Sequence, residues 1–137
     1  FLKGYLSASL AFTLYLASRD RVEQVVWLGL LPILGHVFSP FLGWRGGKGI
    51  AVGAGVLCAF YPPFFLAMLL VWVLVFALSR IVSLSSMLAV SSSVIFSFVF
   101  RKNTTEISFF LTLFLITLWT HRQNIQRLLT GQERRIF

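Results

Sequence analysis

An all-α fold, a polytopic membrane helix bundle of about six transmembrane helices, is what three observations predict for these 137 residues. Apolar residues make up 58% of the chain and charged residues only 12%, with a mean hydropathy of +0.87. A soluble domain carries about a quarter charged residues, so the massed apolar content belongs to a chain embedded in lipid. The charges fall between apolar runs rather than in one stripe. The net charge of +8 then fits loops beside anionic headgroups or phosphate-bearing ligands. A nucleic-acid binder would cluster its bases on a polar face, so nucleic acid is not expected as a partner.

The runs, in order, are Gly4 to Ala17, Val22 to Phe38, Ile50 to Tyr61, Phe64 to Leu78, Leu84 to Phe100 and Ile107 to Trp119. Runs of about 12 to 15 residues reach about 20 Å at 1.5 Å per residue, short of the roughly 30 Å hydrocarbon core. Their polar ends therefore dip inward, or the shortest are re-entrant or buried helices. Pro62-Pro63 divides the stretch from Lys48 to Ser79 into two helices, because proline lacks the amide donor and pushes its predecessor out of the helical region. Ser91-Ser92-Ser93 reads as small-residue helix packing. The single cysteine, Cys58, excludes an internal disulfide. The first residues have no signal-peptide layout, and the chain reads as beginning inside a longer protein.

Six alternating spans divide the bases unevenly. Lys3, Arg45, Lys48, Arg80, Arg122, Arg127, Arg134 and Arg135 share one side, against Arg19, Arg21, Arg101 and Lys102 on the other. The richer side, which holds both chain ends, is expected in the cytoplasm.

Gly35 to Ala51, GHVFSPFLGWRGGKGIA, is a glycine-rich loop feeding a helix. Glycines let consecutive amides face one concavity, a helix start adds unpaired N–H groups, and Arg45 and Lys48 add full charges. Each favours an anion such as phosphate. A nucleotide-binding Walker loop is excluded, since Leu42 and Gly49 stand where it needs Gly and Ser or Thr. The competing reading is a tight turn whose bases only set topology.

At the end of the last span, His121 and Asn124 share a helix face with Leu128. Two hydrogen-bonding side chains at the membrane surface can orient a phosphate or hydroxyl, with Arg122 or Arg127 adding charge. A basic tail that grips anionic lipid explains the same residues. Arg80 with Ser83, Ser85 and Ser86 forms a third polar cluster on that side. Only four carboxylates exist, and of these Glu133 alone lies with the glycine loop, so a paired-carboxylate site is excluded. Two His, one Cys and scattered acids give no zinc ligand set, and no metal is expected. His36 is either a base or a hydrogen-bonded structural residue.

At these residues the sequence resembles the bacterial acyl-phosphate:glycerol-3-phosphate acyltransferases, small polytopic inner-membrane enzymes. The family's second motif, Gly-His-x-Phe followed by Gly-Gly-Lys-Gly-Val-Ala-Thr, is nearly repeated over positions 35 to 51. Its third, His-Arg-x-Asn-Ile-x-Arg-Leu with a later Gly-x-Glu, stands at His121 to Leu128 and Gly131 to Glu133. Arg80 and Val82 to Ser86 look like its short Arg and Ser-Leu loop.

The resemblance implies transfer of a fatty acyl group from acyl phosphate to glycerol 3-phosphate, giving lysophosphatidic acid and phosphate in phospholipid biosynthesis, without a cofactor. It implies Arg45, Gly46, Gly47, Lys48, Gly49 and Ser83 as phosphate-binding and His121, Asn124 and Lys48 as catalytic. His36, Arg80, Arg122 and Glu133 would support them. Residues 1–137 would form one membrane domain, the C-terminal two-thirds of a seven-helix fold. The family's first motif, a Ser, Gly and Asn-rich loop, is expected from an N-terminal segment supplied elsewhere, and Val52 stands where the second motif has Thr. A second reading is a non-catalytic membrane protein that binds phospholipid or a partner through the retained phosphate loop.

Overall fold

The computed structural model describes residues 1–18, 22–44 and 46–136. Among the described residues the chain forms eight α-helices. They are α1 (Leu2–Ser18), α2 (Val22–Leu28), α3 (Leu30–Val37), α4 (Ile50–Phe60), α5 (Pro62–Ser79), α6 (Val82–Val99), α7 (Thr104–Thr120) and α8 (Arg122–Leu129). A 3-10 turn, Pro40–Leu42, lies between α3 and α4. Val25–Leu42, α5 and α6 each provide an apolar window of 18 residues, long enough to cross a membrane, and α4 and α7 are shorter apolar helices.

Local chemistry sets most boundaries. Pro62 and Pro63 occupy the first positions of α5, where a missing amide costs nothing. α5 stops at Arg80 and α4 starts after Gly49, both in the left-handed region at φ 57° and 80°. α7 opens on a capping box in which Asn103 accepts from the Glu106 amide and the Glu106 carboxylate accepts from the Asn103 amide. The run read as continuous from Val22 to Phe38 is instead two helices separated at Gly29. Pro32 explains the break: it cannot donate back to Leu28, and its ring crowds that carbonyl.

Helices surrounded by lipid associate by close packing and polar contacts more than by apolar burial. α1 lies against α4 at a separation only glycine permits, since a Cβ on Gly4 would overlap the Val52 carbonyl. α6 carries buried Ser85, Ser93 and Ser97, whose hydroxyls donate to the carbonyls of Ile81, Val90 and Val94, about one turn back along the chain. This internal satisfaction is what lets a serine-rich helix sit inside the bundle. The Trp72 indole of α5 reaches across to Ser86 at 3.1 Å. The core runs through Ile33, Val56, Leu57, Phe109 and Phe110.

The start of α4, the end of α7 and the α5–α6 junction meet at one end of the bundle. The Thr120 hydroxyl donates to the Lys48 carbonyl at 3.3 Å, and the Ile136 amide donates to the Arg80 carbonyl at 2.9 Å. The glycine loop, the Arg80 turn and the tail are thereby gathered together.

Candidate active site

Where these segments meet, a cleft of about 820 Å³ opens between α4, α5, α6 and α7. Its mouth carries Lys48, Ser83, His121, Asn124, Glu133 and Arg134, and its shaft is apolar, including Leu57, Met68, Val90 and Leu113. Small residues on α4, namely Ala51, Gly53 and Ala54, leave the space open.

Glu133 organises the mouth. Ser83 Oγ donates to its Oε1 at 2.6 Å, Asn124 Nδ2 to the same oxygen at 2.5 Å, and Arg127 Nε to Oε2 at 2.7 Å. Burial alone would raise this carboxyl, but the three donors and the guanidinium charge outweigh it and hold the pKa down to about 2. An anion so committed is a poor proton acceptor. Its contribution is to fix Asn124, itself buried, and to fasten the tail to α6 and α8.

His121, at the joint between α7 and α8, is also buried. Its Nδ1 lies 2.9 Å from the Thr117 carbonyl, which can only accept, so Nδ1 carries the proton and a neutral ring keeps its lone pair on Nε2. Burial pushes its pKa below the usual 6.5, against the raising effect of the Thr117 hydrogen bond, and the nearby Lys48 charge adds to the lowering. Lys48 is likewise lowered by partial burial, opposed by the Glu133 charge. A dianionic ligand arriving at Lys48 would oppose that lowering.

The loop owes its path to close approach. Gly46 N–H donates to the Val37 carbonyl at 3.1 Å, and a Cβ there would overlap the His36 carbonyl. The His36 ring covers Gly47 so closely that a Cβ on that residue would collide with Nε2.

Five of the residues expected from sequence therefore line one cleft: Lys48, Ser83, His121, Asn124 and Glu133. Gly46, Gly47 and Gly49 shape the loop but do not line the cleft, nor do His36, Arg80 and Arg122. Arg122 stacks its guanidinium on Trp119, 4.8 Å from the ring centroid, and donates to that residue's carbonyl. Arg80 serves through its backbone, as acceptor for Ile136. Arg45 lies outside the described residues. Thr117 and Arg134 line the cleft without having been expected. Thr117 stands four residues before His121, so helical spacing alone marks it as a neighbour.

The chain matches the glycerol-3-phosphate acyltransferase family over residues 1–131. A glycerol-3-phosphate acyltransferase of Listeria welshimeri is 37% identical over 137 residues, covering 98% of this chain and 67% of the relative. One from Aquifex aeolicus is 36% identical, covering 98% and 69%. Among solved structures, PlsY, an integral membrane glycerol 3-phosphate acyltransferase, superposes in its glycerol 3-phosphate form with a TM-score of 0.89 at 34% identity. That superposition covers 99% of this chain and 66% of PlsY. The lysophosphatidic acid form superposes with the same TM-score and identity. The chain thus spans about two thirds of the length of these relatives. With the glycine loop and the His121 to Glu133 segment meeting at one cleft, and with family agreement along nearly its whole length, the chain belongs to the glycerol-3-phosphate acyltransferase family.

Proposed function

We propose that this membrane protein transfers a fatty acyl group from acyl phosphate to the 1-hydroxyl of glycerol 3-phosphate, giving lysophosphatidic acid and phosphate. The observation that carries this reading is the cleft with a cationic, hydrogen-bonding mouth and an apolar shaft. Such a shape suits a product with a phosphate at one end and an alkyl chain at the other.

In the reaction the glycerol oxygen bonds to the acyl carbon, the carbon–oxygen bond to phosphate breaks, and the hydroxyl proton leaves on the departing phosphate. Acyl phosphate is already activated, so the protein's contribution is positioning and charge stabilisation. In this reading Lys48, with Arg45 and the Gly46, Gly47 and Gly49 backbone, takes a substrate phosphate. His121 and Asn124 orient the reacting groups, Glu133 and Ser83 hold Asn124 in place, and His36 supports the loop. Arg80 and Arg122 support the mouth from outside the cleft. The 137 residues act as one membrane domain and need no cofactor.

The assay is phosphate release from palmitoyl phosphate in vesicles, with and without glycerol 3-phosphate. Since the chain spans about two thirds of its relatives' length, a second arm fuses it to the remaining segment of a complete relative. Release that depends on glycerol 3-phosphate and is lost in Lys48→Ala supports the reading. Release indifferent to the acceptor in both arms overturns it.

The same reading places the protein in the bacterial inner membrane with the mouth toward the cytoplasm, on the eight-to-four division of Lys and Arg. Cysteines introduced at Trp44 and Gln132, with Cys58 replaced, should resist impermeant thiol reagents in intact cells. Labelling of either from outside would reverse the orientation.

A further inference from the structure

The apolar shaft has a floor. On each of four helices the residues lining the cleft stop within the bundle: at Leu57 on α4, Phe65 on α5, Val90 on α6 and Leu113 on α7. Counted from Ile50, Ser83 and His121, the intervals of seven or eight residues on α4, α6 and α7 give a depth of about 10 to 12 Å at 1.5 Å per residue, while on α5, whose mouth end is Ser79, Phe65 lies deeper.

What lies beneath is closed and stiff. Phe64 and Phe110 stack with centroids 5.1 Å apart, Tyr61 tilts against Phe110 at 5.3 Å, and Phe109 meets Phe110 edge-on at 5.5 Å. The Lys102 ammonium sits 5.1 Å from the Tyr61 ring centroid and 5.5 Å from that of Phe64, held by Glu106 at 3.0 Å. Phe109 and Phe110 are fully buried. A close-packed aromatic plug of this kind does not yield to an extra methylene without displacing its neighbours. The side is less closed: Ala51 and Leu69 line the cleft and are exposed, which leaves an opening between α4 and α5.

We propose that the floor formed by Leu57, Phe65, Val90 and Leu113 sets the acyl-chain length this site prefers. The inference rests on the acyl-transfer reading above and adds the determinant of substrate selection. A chain that ends at the floor fills the shaft. A longer one must bend out between α4 and α5 and surrender its contacts with the floor.

The test is competition for the cleft in phosphatidylcholine vesicles, where every chain starts from lipid and the bulk hydrophobic gain cancels. Radiolabelled dodecanoyl lysophosphatidic acid is displaced by unlabelled lysophosphatidic acids with saturated even-numbered chains from octanoyl to stearoyl. Competing strength should peak at one length and fall about tenfold for chains beyond it, the low end of what one methylene against a fixed wall can discriminate. Leu113→Ala and, independently, Leu57→Ala should move the peak to the next longer chains. Leu70→Ala, on the exposed face of α5, should leave it in place. Equal competition by all lengths, or a peak unmoved in both floor variants while glycerol 3-phosphate still binds, overturns the floor as determinant and leaves the acyl-transfer reading intact. Failure of the unsubstituted protein to bind any lysophosphatidic acid or glycerol 3-phosphate overturns both.

Discussion

The two ends of the bundle solve the same problem differently. At the far end, Lys102 and Glu106 pair with each other, Glu106 also caps α7, and the ammonium rests on Tyr61 and Phe64. Each charge has its partner within the chain. At the mouth, Glu133 is equally well served, but among the described residues no carboxylate lies within salt-bridge distance of Lys48, and Arg134 also lines the cleft. A self-satisfied cluster stabilises a turn, whereas a cation left facing an open cleft is available to an anion from outside. On the proposed function, the difference separates a structural end from a binding end.

Glu133→Ala should show the largest effect. It strands the Asn124 amide and the Ser83 hydroxyl and unfastens the tail, and losing hydrogen bonds to a charged group costs about 1.5 to 3 kcal/mol each. Acyl transfer should fall by at least about a hundredfold, read as phosphate release. The far-end counterpart, Glu106→Ala, loses a capping box worth about 1 kcal/mol and should lower thermal stability while leaving turnover nearly unchanged. If the two variants lose turnover equally, the ends do not differ as described.

Gly46→Ala follows. Its Cβ would overlap the His36 carbonyl, so the loop must shift before Lys48 can reach its place. A displacement of about 1 Å can cost about a hundredfold in rate. Gly35→Ala, with open space around its Cβ, serves as the control that should retain activity.

A smaller effect is expected from acid. Glu133 titrates near 2 in the folded protein against an ordinary 4.5, so the unfolded chain binds the proton first. Its stabilising contribution is complete above about pH 4.5 and is lost as pH falls toward 2. Replacing Glu133 with Gln should flatten that part of the stability profile, followed by circular dichroism in detergent. An unchanged slope would mean that the three donors do not hold the ionised form.

The sequence made the helices and the site segments readable where their signals are local. Pro62-Pro63 marked the α4–α5 break, and the glycine loop and the His121 to Leu128 spacing pointed to residues that share the cleft. The break at Gly29 was hidden within a continuous apolar run, because hydropathy does not register a missing hydrogen bond. The hub at Glu133 was hidden for another reason. Ser83 lies fifty residues from Glu133, and only the packing of α6 against the tail brings them to 2.6 Å. The loop glycines were readable as necessary but not in their use: two of them make room for His36, and the cleft receives Lys48.

The central claim is that the mouth cation, and not positive charge in general, binds the phosphate-bearing substrate. Calorimetric titration of glycerol 3-phosphate into the detergent-solubilised protein, Lys48→Ala and Arg101→Ala tests it directly. Arg101 lies next to the far-end cluster, in the left-handed conformation at φ 48° after α6. A charge-assisted hydrogen bond of about 1.5 to 3 kcal/mol corresponds to about ten- to a hundredfold in affinity. Lys48→Ala should weaken binding by that factor, with Arg101→Ala within about twofold of the unsubstituted protein. Equal weakening by both substitutions would contradict the account.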